Sequence, residues 1–205
     1  MKLYYSPGSG SFVVEAVLAE LGRDYERQQV DIKGDEQFGP QFLAVNPRAQ
    51  VPALQLDDGT VLTESAAIAL FLADAGGGGG LLPAVGTPER GVVMRWLFFA
   101  AANLYEADLR LYYPQRYTSD EAGAPGVKQA AEQEFERCAG LIEQALDAGP
   151  FLLGATMSVA DLYIAMLTEW HWDKARFFAA HPKLGGLNRS VAARPALGRL
   201  WAENF

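Results

Sequence analysis

Hydroxyl side chains are concentrated in the segment YYSPGSGS, residues 4–11. This segment follows a short apolar run and precedes apolar residues at helical spacing, so we expect it to connect a strand to a helix. Backbone N–H groups at a helix N-terminus attract anions, and a nearby hydroxyl can donate one more hydrogen bond. A free thiol has a pKa of about 8.5, which such surroundings could lower by about one to two pH units. The alternative is a turn of small residues in which a serine only caps the helix.

A second candidate site is Thr63-Glu64-Ser65, where a predicted strand gives way to a predicted helix. Glu64 supplies a carboxylate, whereas Ser65 supplies a hydroxyl and a backbone N–H at the helix N-terminus. Together they could bind the amino-acid end of a ligand, with its ammonium on Glu64 and its carboxylate on Ser65. The alternative is an ordinary N-cap whose acidic residue complements the helix dipole.

The third candidate is Val51-Pro52, which follows NPRAQ at residues 46–50 and precedes an apolar strand. Proline cannot supply an N–H to a sheet ladder. A cis bond would turn the N–H and C=O of Val51 outward, where an extended peptide could pair with them as an added strand. The alternative is a trans proline that opens the strand.

The segment Ser158-Val159-Ala160-Asp161 has the spacing of a capping box, with aspartate in the place usually filled by Glu or Gln. Met157 and Leu162 could form the accompanying hydrophobic staple. We assign this motif to folding rather than to chemistry.

The elements that must position these groups follow from local patterns. An Asp-Gly turn at residues 57–59 predicts a hairpin, and Gly22 is placed to end the first helix. The predicted strands are Lys2–Tyr5, Tyr25–Ile32 near a sheet edge, Ala53–Leu56 and Thr60–Leu62, and the predicted helices are Phe12–Leu21 and Glu64–Asp74, with a loop or short helix at Asp35–Val45. This order, β-α-β-(α)-β-β-α, predicts an α/β domain.

Five consecutive glycines at residues 76–80, followed by Pro83, mark the clearest division of the chain. Beyond about residue 88 the pattern is helical almost throughout. Helices are predicted at Glu89–Tyr117, Val127–Ala148 and Ser158–Trp172, with shorter ones in Pro182–Phe205. We therefore expect a domain at residues 1–76, a linker at 77–87 and an all-helical domain at 88–205.

Composition excludes several classes of function. The 205 residues carry 17 Lys and Arg against 25 Asp and Glu, a net charge of −8, which argues against nucleic-acid and anionic-membrane partners. One cysteine and two histidines rule out an internal disulfide and a Cys- or His-based metal site. No apolar run has transmembrane length and the N-terminus lacks an apolar signal core, so we expect a cytoplasmic protein without a metal.

Several other residues are expected to be structural. Cys138 lies mid-helix among apolar residues, and His171 and His181 are expected at the surface or at helix ends. The second domain is rich in aromatic residues, most of them expected in the core and a few lining an apolar cleft: Tyr112, Tyr113, Tyr117, Trp170, Trp172, Phe177 and Phe178.

Taken together, the motifs resemble the glutathione transferase family over essentially the whole chain. The stretches NPRAQVPALQLDDG and LTESAAIALFLAD are especially similar to bacterial members. The resemblance implies a thioredoxin-like N-terminal domain and an all-α C-terminal domain. It also implies a cis Pro52, glutathione held by the Val51 backbone and by Glu64 and Ser65, and Lys33 and Gln50 near its glycyl end.

The sequence departs from the family pattern at the first turn. KLYYSPG resembles the beta class, which has a cysteine where this chain has Gly10, and Tyr105-Glu106 stands in the place of the class's His-Lys pair. A mixed disulfide with glutathione is therefore not expected. The turn instead resembles the delta-type serine pattern, which makes Ser9 the first candidate donor to the thiolate, Ser11 the second and Tyr5 the third.

The resemblance implies a cytoplasmic homodimer that conjugates the thiolate of glutathione, its co-substrate, to a small electrophilic apolar compound, as in detoxification. A glutathione-dependent isomerase, dehalogenase or peroxidase on the same fold is one alternative. A non-catalytic binding module that keeps the fold is another.

Overall fold

The computed structural model describes residues 1–76, 80–147 and 149–205. The glycines at 77–79, at the start of the predicted linker, and Ala148, at the end of a predicted helix, lie outside the described residues. The elements are β1 (Lys2–Tyr5), α1 (Ser11–Glu20), β2 (Glu26–Gln29), α2 (Pro40–Leu43), β3 (Ala53–Gln55), β4 (Val61–Leu62), α3 (Ser65–Ala75), α4 (Pro88–Phe99), α5 (Tyr105–Tyr112), α6 (Ala124–Ala145), α7 (Val159–Glu169), α8 (Lys174–Ala180), α9 (Pro182–Ala192) and α10 (Gly198–Asn204).

The chain forms two compact units. One consists of Met1–Leu82 together with Ala192–Phe205, and the other of Pro83–Val191. The fold class predicted from the sequence, a small α/β domain followed by helices, is confirmed. The domain boundaries at 76, 77–87 and 88 stay a prediction, and by its contacts the tail at 192–205 groups with the first unit.

The first unit is built on a four-stranded sheet of order β2-β1-β3-β4. β1 is parallel to β2 and antiparallel to β3, and β3 is antiparallel to β4. The polar strand β2 lies at an edge, as predicted, and Gly59, with a φ of 89°, supplies the hairpin turn between β3 and β4. Gly22, with a φ of 60°, follows the end of α1 in the left-handed conformation that glycine adopts without steric cost.

α1 is the centre of this unit because every residue from Ser11 to Leu18 is buried. Most of these side chains are apolar, so their burial supplies the hydrophobic stabilisation of the helix. α1 contacts both α3 and α10. The turn that leads into α1 is therefore attached to the most deeply buried helix of the unit.

The second unit consists of helices. Thr87 caps α4 by accepting a hydrogen bond from the Arg90 N–H at 3.3 Å, and Pro88 occupies the first turn, where proline is tolerated. A π-helical segment at Ala100–Leu104 separates α4 from α5. Among the described residues, no helix of either unit combines the length and the apolar composition needed to cross a membrane.

The predicted capping box is present at the start of α7. The buried Asp161 carboxylate accepts from the Ser158 N–H at 2.7 Å and from the Ser158 hydroxyl at 2.6 Å. It also accepts from the Leu152 N–H at 2.8 Å, which ties the preceding loop to the helix. Burial raises the pKa of Asp161, although these hydrogen bonds oppose the increase.

Cys138 is fully buried, as expected, and burial raises the pKa of its thiol to about 12. His171 follows the end of α7, as one of the expected placements had it, but it is buried rather than at the surface, because its ring stacks against Trp172 and Phe177 at centroid distances of 3.8 and 4.4 Å. One other expectation is wrong. Of the aromatic set, only Phe177 is buried. The others stay partly or largely exposed, and several of them, such as Tyr113 after α5 and Trp172 between α7 and α8, lie in segments between helices.

Helix α5 carries a buried carboxyl group, that of Asp108. Asp108 is 1% exposed, and neither of its oxygens has a hydrogen bond within the described residues. Burial raises the pKa of Asp108 well above its ordinary value, because removal from water penalises the charged form.

We predict that Asp161→Ala lowers the free energy of unfolding by about 2 to 4 kcal/mol, because it leaves buried backbone N–H groups without acceptors. Urea denaturation measures this loss. Asp161→Asn, which keeps one acceptor oxygen, should lose less. A change in Asp161→Ala no larger than that of an exposed surface variant would contradict a structural role for the box.

We predict that Asp108→Asn makes the protein more stable at pH 8, by about 1 kcal/mol or more. The unfolded carboxyl ionises near its ordinary pKa of about 4, whereas the folded one holds its proton to higher pH, so the wild type loses stability as pH rises above that value. The advantage of the variant should therefore shrink towards pH 5. Thermal unfolding between pH 5 and pH 8 tests whether the buried Asp108 carboxyl causes this loss of stability, with Asp108→Leu as a second neutral variant. If the stability of the wild type and of the variants changes with pH in the same way, the role of Asp108 is contradicted.

Candidate functional site

The register of the sheet brings the three candidate segments to one end of the first unit. Tyr4 pairs with Ala53 in the antiparallel ladder of β1 and β3, so the turn after β1 lies beside Val51–Pro52. Leu54 pairs with Leu62 in the ladder of β3 and β4, so residues 63–65 lie on the other side of residue 52. Two N-termini, those of α1 and α3, therefore lie at this end of the sheet.

The first segment is the turn at residues 6–10. Gly8 has a φ of 67°, a left-handed conformation that the reversal of the chain requires. The Ser9 Oγ lies 2.6 Å from the Ser6 carbonyl oxygen and 2.9 Å from the Ser11 Oγ. It also accepts from the Ser11 N–H at 3.2 Å, at the first turn of α1.

These contacts form a closed set of hydrogen bonds. The single Ser9 hydroxyl proton is donated to the Ser6 carbonyl, which leaves the Ser11 hydroxyl free to donate to the Ser9 Oγ. The Ser11 Oγ in turn accepts from the Ser6 N–H at 3.3 Å. To donate to a ligand, the Ser9 hydroxyl must turn away from Ser6, at a net cost of about 0.5 to 1.5 kcal/mol. A bond to a thiolate would offset this cost, since hydrogen bonds to ions are about twice as strong as neutral ones.

The three candidate donors differ in exposure. Ser11 is fully buried, and Tyr5 is 9% exposed with the Arg27 guanidinium 4.3 Å from its ring centroid. Ser9 is the partly exposed member of the set. Of the three hydroxyl residues, Ser9 is therefore the one best placed to meet a ligand without rearrangement of the core.

The second segment is the loop before β3, and the Val51–Pro52 bond is cis, as the family resemblance implied. The N–H and C=O of Val51 have no hydrogen bond to any described residue, so both are available to an extended peptide.

The buried Asn46 shapes this loop and was not singled out in the sequence. Its amide donates to the Gln50 carbonyl at 2.6 Å and accepts from the Arg48 N–H at 3.1 Å. Ala49 is held at a φ of 55° between them. The Asn-Pro dipeptide is a turn signal, but only the fold reveals that the side chain is enclosed by its own loop.

The third segment places Glu64 and Ser65 at the start of α3. Glu64 has a φ of 65°, which costs a residue with a Cβ about 1 to 3 kcal/mol. Its carbonyl accepts from the Ile68 N–H at 2.9 Å, so Glu64 is the N-cap residue, and its side chain is exposed. Ser65 is buried in the first turn. The unfavourable backbone of Glu64 is maintained by the strand and helix on either side of it.

The last two candidate residues flank the same end of the sheet. Lys33 is exposed in the loop after β2, which runs parallel to β1, and its ammonium has no partner among residues 1–76, 80–147 and 149–205. Gln50 accepts from the Arg48 Nε at 3.2 Å. Within the described chain no group of three His, Cys, Asp or Glu side chains is arranged to hold a metal ion.

The chain is similar to proteins of one known family. Residues 11–75 match the family model of the glutathione S-transferase N-terminal domain, and residues 107–202 match that of its C-terminal domain. The chain is 34% identical to glutathione S-transferase GstA of Escherichia coli O157:H7, covering 95% of this chain and 94% of the relative. It is 28% identical to the disulfide-bond oxidoreductase YfcG of Escherichia coli K12, covering 96% and 92%.

A solved structure shows the same likeness. A sphingomonad glutathione S-transferase, complexed with glutathione, is 36% identical and superposes with a TM-score of 0.84 over 99% of this chain and 98% of its own. Family models that together span both units, and relatives matched over nearly their full length, lead to one conclusion: this chain belongs to the glutathione S-transferase family.

Proposed function

We propose that the protein binds glutathione at the sheet end defined above and conjugates its thiolate to a small, apolar electrophile. The observation that carries the proposal is the shared position of Ser9, the unpaired Val51 backbone and the Glu64–Ser65 helix start. The γ-glutamyl end of glutathione needs one group that binds its carboxylate and another that binds its ammonium. The central peptide of glutathione needs a strand edge, and its thiol needs a hydroxyl donor.

Each residue has a role in this proposal. Glu64 takes the ligand's ammonium, and Ser65 and the α3 N-terminus take its α-carboxylate. Val51 pairs with the cysteinyl peptide, next to the cis Pro52, while Lys33 and Gln50 hold the glycyl carboxylate. Ser9 donates to the thiolate beside the N-terminus of α1, which favours the ionised form. Ionisation and positioning of the nucleophile then supply the catalysis, without a covalent enzyme intermediate.

We also propose a cytoplasmic homodimer with a detoxifying role. The free Cys138 is consistent with the cytoplasm, where reduced glutathione keeps thiols reduced. The dimer is supported by large apolar side chains that are exposed on the single chain, among them Phe38, Phe71 and Phe98. Light scattering should give twice 22.2 kDa. A mass of one chain would contradict the dimer but not the chemistry.

Disulfide exchange is the second candidate function, favoured by the likeness to YfcG. Two glutathione thiols would reduce one disulfide, giving two thiols and oxidised glutathione, so the enzyme would need no cysteine at Gly10. Both reactions require glutathione binding, which calorimetry tests. A non-catalytic module that keeps the family fold but has lost glutathione binding would give no saturable heat. Assays with chlorodinitrobenzene and with a small dialkyl disulfide then separate the two reactions.

We predict that Ser9→Ala raises the pKa of the bound glutathione thiol by about one to two pH units and lowers conjugation at pH 6.5 about ten- to a hundredfold. Thiolate absorbance across pH in the binary complex measures the first effect and initial rates the second. Ser11→Ala and Tyr5→Phe are the matched controls. If Ser9→Ala keeps its activity while Tyr5→Phe or Ser11→Ala is inactive, the donor is the hydroxyl removed in the inactive variant and not that of Ser9.

A further inference from the structure

The last residues of the chain surround the turn that carries Ser9. Within the first unit, the Gly8 N–H donates to the Asn204 Oδ1 at 2.9 Å. The Asn204 amide also donates through Nδ2 to the Leu200 carbonyl at 2.8 Å, which fixes the orientation of the amide so that its oxygen faces the turn.

Neighbours of Asn204 contact Phe12, after the turn, directly and Tyr5, before it, through Arg27. After the turn, the rings of Trp201 and Phe205 pack edge-on against the buried Phe12, with centroids 5.7 and 4.8 Å away. Before the turn, Glu203 accepts from the Arg27 guanidinium at 3.1 Å, and Arg27 lies over the Tyr5 ring.

The exposed half of the turn depends on this attachment. Its inner half is held by the closed set of serine hydrogen bonds. Pro7 and Gly8 are exposed, and among the described residues Asn204 is the one side chain that bonds the Gly8 N–H. Ser9 follows immediately, so movement of Gly8 displaces the hydroxyl that must meet the thiolate.

We propose that Asn204 is a positioning residue for the thiol-binding turn, so that the C-terminal helix α10 sets the geometry of the Ser9 hydroxyl. This inference rests on the proposed function for its kinetic consequence, but the anchoring of Gly8 does not. Asn204 touches neither the substrate nor the reacting atoms; it acts through Gly8.

The first measurement needs no ligand. Hydrogen–deuterium exchange of the N-terminal peptide that includes Gly8 should become faster in Asn204→Leu, which loses the acceptor, and stay slow in Asn204→Asp, which keeps one. Arg194→Gln is the matched control, because Arg194 in the same C-terminal segment pairs with Glu20, at the opposite end of α1 from the turn. It should lower stability without faster exchange at Gly8.

The second measurement uses glutathione and chlorodinitrobenzene. Asn204→Leu should lower kcat about three- to tenfold, the effect expected of one net hydrogen bond, with the thiol pKa raised and the glutathione dissociation constant changed less than about twofold. Asn204→Asp should recover most of the rate.

The outcomes separate the two proposals. Equal effects of Asn204→Leu and Arg194→Gln on exchange and on the thiol pKa would overturn the positioning role and leave a purely structural one. Unchanged exchange at Gly8 in Asn204→Leu would also overturn it. An absence of saturable heat between the wild type and glutathione would instead contradict the proposed function, while the exchange experiment would still decide whether Asn204 holds the turn.

Discussion

The antiparallel pairing of β3 with β1 on one side and β4 on the other is the constraint on which the candidate site depends. It places residue 52 between the ends of β1 and β4, each of which is followed by a helix after a short connection. A shift of one residue in either ladder would reverse the faces of β3 and turn Val51 away from both helices. The buried Leu54, paired with Leu3 and Leu62, fixes this register through its burial.

The electrostatic character of the site follows from the same arrangement. Two helix N-termini and Lys33 favour negative groups, whereas Glu64 favours one positive group among them. Glutathione carries two carboxylates, an ammonium and an ionisable thiol, so its charges complement this pattern. In a chain with a net charge of −8, the proposed anion-binding region thus lies at one end of one sheet.

Local patterns were sufficient to predict much of the fold. The Gly59 turn, the Gly22 helix end and the Ser158–Asp161 box each depend on residues close in sequence, and the polarity of β2 was enough to predict its edge position. Contacts between distant residues were not predictable in this way. The burial of His171 depends partly on Phe135 of α6, whose ring centroid lies 5.4 Å from that of His171, and the return of α10 to the first unit has no periodic signature.

The candidate site, too, was predictable only where it depends on local sequence patterns or on the family resemblance. The hydroxyl-rich turn, the cis proline and the Glu64–Ser65 pair could be recognised from spacing and resemblance. The closed hydrogen bonds among Ser6, Ser9 and Ser11, and the loop-shaping role of Asn46, could not, because they depend on side-chain directions that a sequence does not specify.

The return of residues 192–205 to the first unit also has a consequence for biosynthesis. A ribosome makes the sheet and its helices first, but Phe12 lacks its two aromatic neighbours, and Gly8 its acceptor, until the last helix has emerged. The first unit therefore reaches its finished form only after the whole helical unit has been translated, so the nascent chain cannot complete its domains strictly one after the other.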